Sequence, residues 1–249
     1  MENCVNRIRE LERLFSDNQY DGRGEKAFCI EEGNIPIMVS APHAINHFRD
    51  GHVKRADVYT GGITRFLHEA TGCHIIYSSK YTESDPNYDL PGTNRYQDEL
   101  VSYFEKHRVF VLLDLHGASK NREYAIELGT APKQYPEPGM EYEKDPSLHE
   151  YKFISTLIGQ LFEKKFADCS TDRKSIWKNR IFGAGGQNTI TKYISENTST
   201  ACIQLEINGI YRNPENRKEF LSLINGLIEL IRILADIDWT QTDIEIPRF

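Results

Sequence analysis

Two apolar, β-rich runs each lead into a histidine, and this pair constrains the chain more than any other feature. Ile35-Pro-Ile-Met-Val39 runs into Ser40-Ala-Pro-His43, and Val109-Phe-Val-Leu-Leu113 runs into Asp114-Leu-His-Gly117. In an open α/β sheet, a side chain at the C-terminal end of a strand faces the crevice where such folds bind ligands. The matched placement therefore puts two imidazoles, His43 and His116, at one edge of a sheet.

The rest of the chain supplies that sheet. Apolar spacing of three and four over residues 3–16 predicts an amphipathic helix, ended by Asp21-Gly-Arg-Gly24. The runs 27–30 and 35–39, joined by the turn-like Glu32-Gly-Asn34, predict a β-hairpin. A helix over 55–70 stops at Gly72, which suits a C-cap, and 73–77 reads as a short strand. The turn formers of 83–93 make a loop. Then come a helix near 94–106, strands at 109–115 and 123–128, and a helix at 148–166. A strand at 201–207 precedes a C-terminal helix at about 214–235, with Pro214 in its first turn. Alternating strands and helices predict an α/β fold with a mixed, mainly parallel sheet, organised as one domain over residues 1–249. The proline-rich stretch 131–147 reads as an irregular insertion or a lid.

Composition removes several classes of function. Hydrophobic residues at 39% and aromatics at 11% are enough for a core, which excludes a disordered chain. A net charge of −7 without any basic run argues against nucleic acid as a partner. Five scattered cysteines with no Cys-x-x-Cys pair argue against a disulfide framework and a cysteine-built zinc site. The N-terminal segment lacks the apolar core of a signal peptide, and no stretch approaches the roughly 20 apolar residues that span a bilayer. A cytoplasmic protein with no membrane partner is expected.

His43 and His116 are the first candidates for chemistry, because imidazole suits zinc and catalytic zinc takes three protein ligands and a water. The alternative is that each histidine only packs at its strand end. Asp57, at the predicted start of a helix, reads either as the third ligand or as a carboxylate favoured by the helix dipole. Glu206, in the apolar strand Ile203-Gln-Leu-Glu-Ile207, must be paired with an arginine, protonated or functional, and burial would raise its pKa toward that of a general base. Asp114 shares a strand face with His116 and would orient that imidazole. His47 and His52 read as loop residues, and no Glu follows His43, so the His-Glu-x-x-His motif is absent. Glu83, Asp85, Asn87 and Asp89 either shape a pocket or meet solvent. Gly183–Gly186 lacks phosphate-loop spacing and instead lets backbone approach a ligand. Lys192 and Arg180, flanking it, either hold a substrate carboxylate or are solvated.

The order of these pieces resembles the N-formylglutamate amidohydrolase family. The matching elements are Pro42-His43, Asp57, Ser79-Lys-Tyr81 leading into Asp85-Pro-Asn87, Asp114-Leu-His116, Gly185-Gly186 with Thr191-Lys192, and Gln204-Leu-Glu206 with Tyr211. The resemblance implies a three-layer α/β/α fold of the phosphorylase/hydrolase-like type, related to zinc carboxypeptidases. It also implies zinc held by His43, Asp57 and His116, with Glu206 as the catalytic carboxylate. A carboxypeptidase would carry Glu three residues after the first histidine; here that residue is Asn46, which favours Asp57. The chain departs from the family at Ala44-Ile45, at Tyr88 and at Lys192, so its contacts to a substrate carboxylate differ.

The expected function is a Zn²⁺-dependent hydrolase of an amide in a small N-acylated amino acid, with Glu206 as general base and acid. Lys192, Arg180, Asn87, Gly185 and Gly186 would contact substrate. Mixed His/carboxylate ligation also suits Fe²⁺, Mn²⁺ or Co²⁺. The alternatives are a non-catalytic metal- or metabolite-binding protein on the same scaffold, and a peptide or cell-wall amide hydrolase gated by 131–147.

Overall fold

The computed structural model describes residues 2–131 and 146–239, with the side chains of Glu2 and of 146–151 left out. The elements run α1 (Glu2–Ser16), β1 (Arg23–Glu31), β2 (Ile35–Ala41), β3 (His47–Arg49), β4 (His52–Lys54), α2 (Thr60–Thr71), β5 (Cys73–Lys80) and α3 (Arg95–Lys106). They continue with β6 (Val111–Ala118), β7 (Tyr124–Gly129), α4 (Pro146–Phe166), β8 (Ser175–Lys178), α5 (Ile190–Asn197), β9 (Ala201–Asn208), α6 (Gly209–Arg212) and α7 (Arg217–Ala235). Apart from Ala131 and the first residues of α4, the 131–147 stretch lies outside the described residues.

Seven strands form one sheet in the order β1-β5-β2-β6-β9-β7-β8, and β3 and β4 make a separate hairpin. The central strands β5, β2, β6 and β9 are mutually parallel, while β1 and β7 run antiparallel to their inner neighbours. Side-chain alternation divides the layers. Ile37 and Val39 of β2, Leu113 and Leu115 of β6, and Ile203 and Leu205 of β9 face a core closed by α1, α2, α4 and α7. Met38, Leu112 and Cys202 face the opposite side, where Leu100 of α3 and Ile194 of α5 cover them. The α/β/α arrangement and the mixed, mainly parallel sheet match the sequence expectation.

One expected pairing is replaced. Residues 27–30 and 35–39 do not form a hairpin, because β5 lies between β1 and β2 and pairs with both. The short turn after β1 thus spans one strand position. Burial explains the preference: β5 is buried from Cys73 to Ser79, whereas β1 is only half-buried and suits an edge. The C-terminal helix begins at Arg217 rather than near Pro214, and the single turn of α6 precedes it. Gly72 does cap α2 in the left-handed region, at φ 76°. Among the described residues, no helix is long and apolar enough to cross a membrane.

The start of α2 is held from outside. Tyr59, at the N-cap position, has φ 72° and offers no side-chain cap. Glu12 of α1 takes that role across the helix interface, accepting from Tyr59 N at 2.7 Å, Gly62 N at 2.7 Å and the Tyr20 hydroxyl at 2.9 Å. Gly62 is required there, since a Cβ would come within 2.7 Å of Glu12 Oε2. Burial pushes the Glu12 carboxyl up to about 7, against the pull of those three donors. The folded chain therefore binds this proton more tightly than the unfolded chain. The linked stability is full below the ordinary value of 4.5 and is lost as pH rises through about 7. In urea unfolding from pH 4.5 to 8, the stability of the wild type relative to Glu12→Gln should fall with pH; a flat or rising difference would contradict this account.

Candidate metal centre

The parallel strands β2, β6 and β9 end at one edge of the sheet, and the chain reverses its winding between β2 and β6. After β2 it moves outward to β5, and after β5 it crosses back to β6 on the other side of β2. Such a switch point opens a crevice at the strand ends. His43 follows β2 by two residues and His116 lies in β6. Asp57 reaches them by a closed excursion. Asn46 Oδ1 accepts from Ala56 N at 2.9 Å, and Asp57 N donates to His43 O at 2.8 Å, so the β3–β4 hairpin is pinched at its base. Gly117 leaves room for the return, because a Cβ there would lie 2.9 Å from Asp57 Cβ and 2.6 Å from the Arg212 guanidinium.

The three side chains meet at one point, each less than one-tenth exposed. His43 Nδ1 and His116 Nδ1 both lie 3.3 Å from Asp57 Oδ2 and 3.1 Å from each other. The outer nitrogens fix the tautomers. His43 Nε2 sits 2.8 Å from Asp85 Oδ1, and His116 Nε2 sits 3.0 Å from Asp114 Oδ2. A carboxylate accepts, so both Nε2 atoms carry hydrogen and both Nδ1 lone pairs turn toward Asp57. Three lone pairs converging in a buried space repel unless a proton or a metal cation lies among them. Tetrahedral zinc with bonds of about 2.0–2.1 Å would set its ligand atoms roughly 3.3 Å apart. The donor set and its spacing fit a divalent metal.

The surrounding charges act in the same sense. Burial raises the Asp57 carboxyl, but Lys54 at 2.8 Å and contacts from His116 and His43 overcome it and hold Asp57 well below the usual range. Burial lowers His116, yet the Asp114 charge and the Asp57 contact drive it up to about 10, a measure of how strongly this point attracts positive charge. Asp85, despite the cost of burial, is held low by His43. Glu206 is the Cα partner of His116 on β9 and faces the same side. Burial pushes its carboxyl up, and Gln204 Nε2 donates to one oxygen at 2.8 Å. Among the described residues, no arginine forms an ion pair with Glu206. Arg212, which feels the Glu206 charge, donates to the carbonyls of Ile207, Val58 and Ala118.

Other expected residues divide. Asn87 is buried; it accepts from Ile190 N at 2.8 Å, ties the 83–93 loop to α5 and comes within 3.4 Å of His116 Nε2. Gly186 borders an open groove of about 570 Å³ with Tyr88, Leu90 and Asn188, and Gly185 adjoins it. Lys192 and Arg180 have no contact with the three converging residues: Lys192 is half-buried on α5, and exposed Arg180 stacks on Trp177 at 4.7 Å. The cations that do border the centre are Lys54 and Arg49, the latter 3.6 Å from Asp85 Oδ2 and over the Tyr88 ring. Sequence reasoning missed both, and it left Asp85 undecided between pocket and solvent; nothing local marks a loop aspartate as fully buried. His47, expected in a loop, is instead a buried β3 residue, held by Ser84 O and Pro42 O at 2.8 Å each.

No family model matches the chain, and no curated protein resembles it in sequence. Solved structures do. A bacteriophage poly-gamma-glutamate hydrolase is 15% identical with a TM-score of 0.50, over 85% of this chain and 91% of that one. An N-formylglutamate amidohydrolase from Ralstonia eutropha JMP134 is 14% identical with a TM-score of 0.47, over 84% and 97%. A succinylglutamate desuccinylase from Vibrio parahaemolyticus is 12% identical with a TM-score of 0.41, over 83% and 69%. The likeness is one of fold.

The two outer carboxylates offer a direct check on the centre. Asp85→Asn and Asp114→Asn, which keep shape but weaken the grip on each Nε2 hydrogen, should each lower zinc affinity by about 10–100-fold in a competitive chelator titration. Unchanged affinity in both would remove the proposed tautomers.

Proposed function

We propose that this protein is a metal-dependent amidohydrolase, with zinc as the metal, acting on a small N-acylated amino acid. The observation that carries this reading is the convergence of two Nδ1 lone pairs and one carboxylate oxygen at distances of 3.1–3.3 Å in a buried space. His43, Asp57 and His116 would hold the ion. When bound there, a divalent cation supplies Lewis acidity, polarising a carbonyl and acidifying water.

Glu206 then has a defined task. It stands beside His116 on the neighbouring strand, and burial raises its proton affinity. Gln204 steadies one carboxylate oxygen, which leaves the other to take a proton from water and pass it to the departing nitrogen. Asp85 and Asp114 hold the two imidazoles in the tautomers that face inward. Arg49, half-buried at the rim, is the cation best placed to meet a substrate carboxylate, more so than Lys192 or Arg180. The ordered motifs that resemble the N-formylglutamate amidohydrolase family agree with a small N-acyl substrate, as does the near-complete burial of the three ligands. A second reading, hydrolysis at the end of a longer amide-linked chain, draws on the open groove beside Asn188 and on the fold shared with the poly-gamma-glutamate hydrolase. Turnover of monomeric against oligomeric substrates separates the two.

Elemental analysis of wild type should find close to one zinc per chain, lost in His43→Ala and in His116→Ala. Folded wild type that stays metal-free after zinc is supplied would overturn the reading. Glu206→Gln should keep its metal and lose turnover of N-formyl and N-acetyl amino acids by about 100-fold or more. A fully active Glu206→Gln protein would remove Glu206 from proton transfer.

A further inference from the structure

A second cavity, of about 290 Å³, lies behind the loop that carries Asp85, between the end of β5 and the start of α3. Its chemistry is unlike that of the metal centre. On β5, Ile76 joins the cluster that holds Phe28 and Tyr96, and Ser78 and Lys80 continue the same strand face. Ser78 lines the cavity and is only 2% exposed, and its hydroxyl has no hydrogen-bond partner among the described residues. That hydroxyl opens into space large enough for a ligand that could supply its partner.

Two cations line the same cavity. Lys80 and Arg95 both line the cavity, and neither has an ion-pair partner among the described residues. Arg23 is the Cα partner of Lys80 across the β1–β5 ladder, a like-charged pairing that is unfavourable on its own. No carboxylate lines the space. Thr82 adds another hydroxyl. Phe28, Pro86 and Tyr96 form an apolar wall opposite.

We infer that this cavity is a binding site for a small organic phosphate, with the phosphoryl group held by Ser78, Lys80 and Arg95 and the apolar part against Phe28. Two cations without ion-pair partners among the described residues and two hydroxyls match a dianion better than a single carboxylate. The inference does not rest on the metal-centre reading, because none of the three converging residues lines the cavity. The two are neighbours, however: His47 and Ser84 belong to the cavity wall, and the His47 ring packs against that of His43 at 5.3 Å.

Calorimetric titration of the full chain with phenyl phosphate at constant ionic strength tests the site. Saturable binding is expected, unchanged after metal chelation and tighter than that of benzoate. Lys80→Ala, Arg95→Ala and Ser78→Ala should each weaken it by about tenfold, the loss of one charge-assisted contact. The first two are surface changes and the third removes one oxygen, and a melting curve checks that each variant folds. Absence of saturable binding, binding lost on chelation, wild-type affinity in all three variants, or a preference for benzoate would each overturn the assignment.

Discussion

The Asp57 carboxylate is where the structure concentrates its electrostatic cost. It is buried beside two imidazoles, and its neighbours Asp85, Asp114 and Glu206 are buried as well. Taking carboxylates out of water is tolerable only when charge and hydrogen bonds replace the lost hydration. Lys54 supplies one contact to Asp57, Arg49 approaches Asp85, and Arg212 lies near enough to feel Asp57 and Glu206. The four carboxyl groups thus outnumber the three fixed cations, and without a metal a proton on His116 takes up part of the difference. A divalent ion at the convergence point answers that imbalance, and the depressed proton affinity of Asp57 beside the elevated one of His116 expresses the same field.

Holding that arrangement takes supports that have no chemistry of their own. Arg212 is buried and spends its guanidinium on carbonyls of Ile207, Val58 and Ala118, tying the ends of β9 and β6 to the segment just after Asp57. Glu12 fixes the first turn of α2 from the neighbouring helix α1 of the same layer. Asn46 closes the hairpin base, and Asn87 ties the 83–93 loop to α5. These contacts are chiefly from side chain to backbone, which sets the path of loops more rigidly than pairing between side chains would. Glu127 does the same for the glycine-rich segment, accepting from the amides of Arg180, Ile181 and Phe182 with one oxygen.

Much of this was legible beforehand, and particular residues show why. The strand ends at His43 and His116 were readable because uninterrupted apolar runs mark central strands, and strand ends mark the crevice. Asp114 was readable from alternation alone, two residues from His116 on one strand. Glu206 stood out as an acid inside an apolar strand. Lys54, Arg49 and the burial of Asp85 were not readable, since each sits in a polar loop or hairpin whose composition equally describes solvated surface. The separation of β1 from β2 was likewise hidden, because a short turn between two β-rich runs carries no record of a third strand inserting later.

The sequence by itself determined the alternation of strands and helices, the two histidine-bearing strand ends and the acid on β9, because local periodicity and side-chain polarity are properties of neighbouring residues. Only the tertiary structure decided that Asp57 and Asp85 meet those imidazoles. Asp57 arrives through a hairpin closed by Asn46, Asp85 through a loop pinned by Asn87, and both distances depend on contacts between segments far apart in the chain. A metal-binding geometry is a set of separations of a few ångströms, and such separations are fixed by packing rather than by order along the chain.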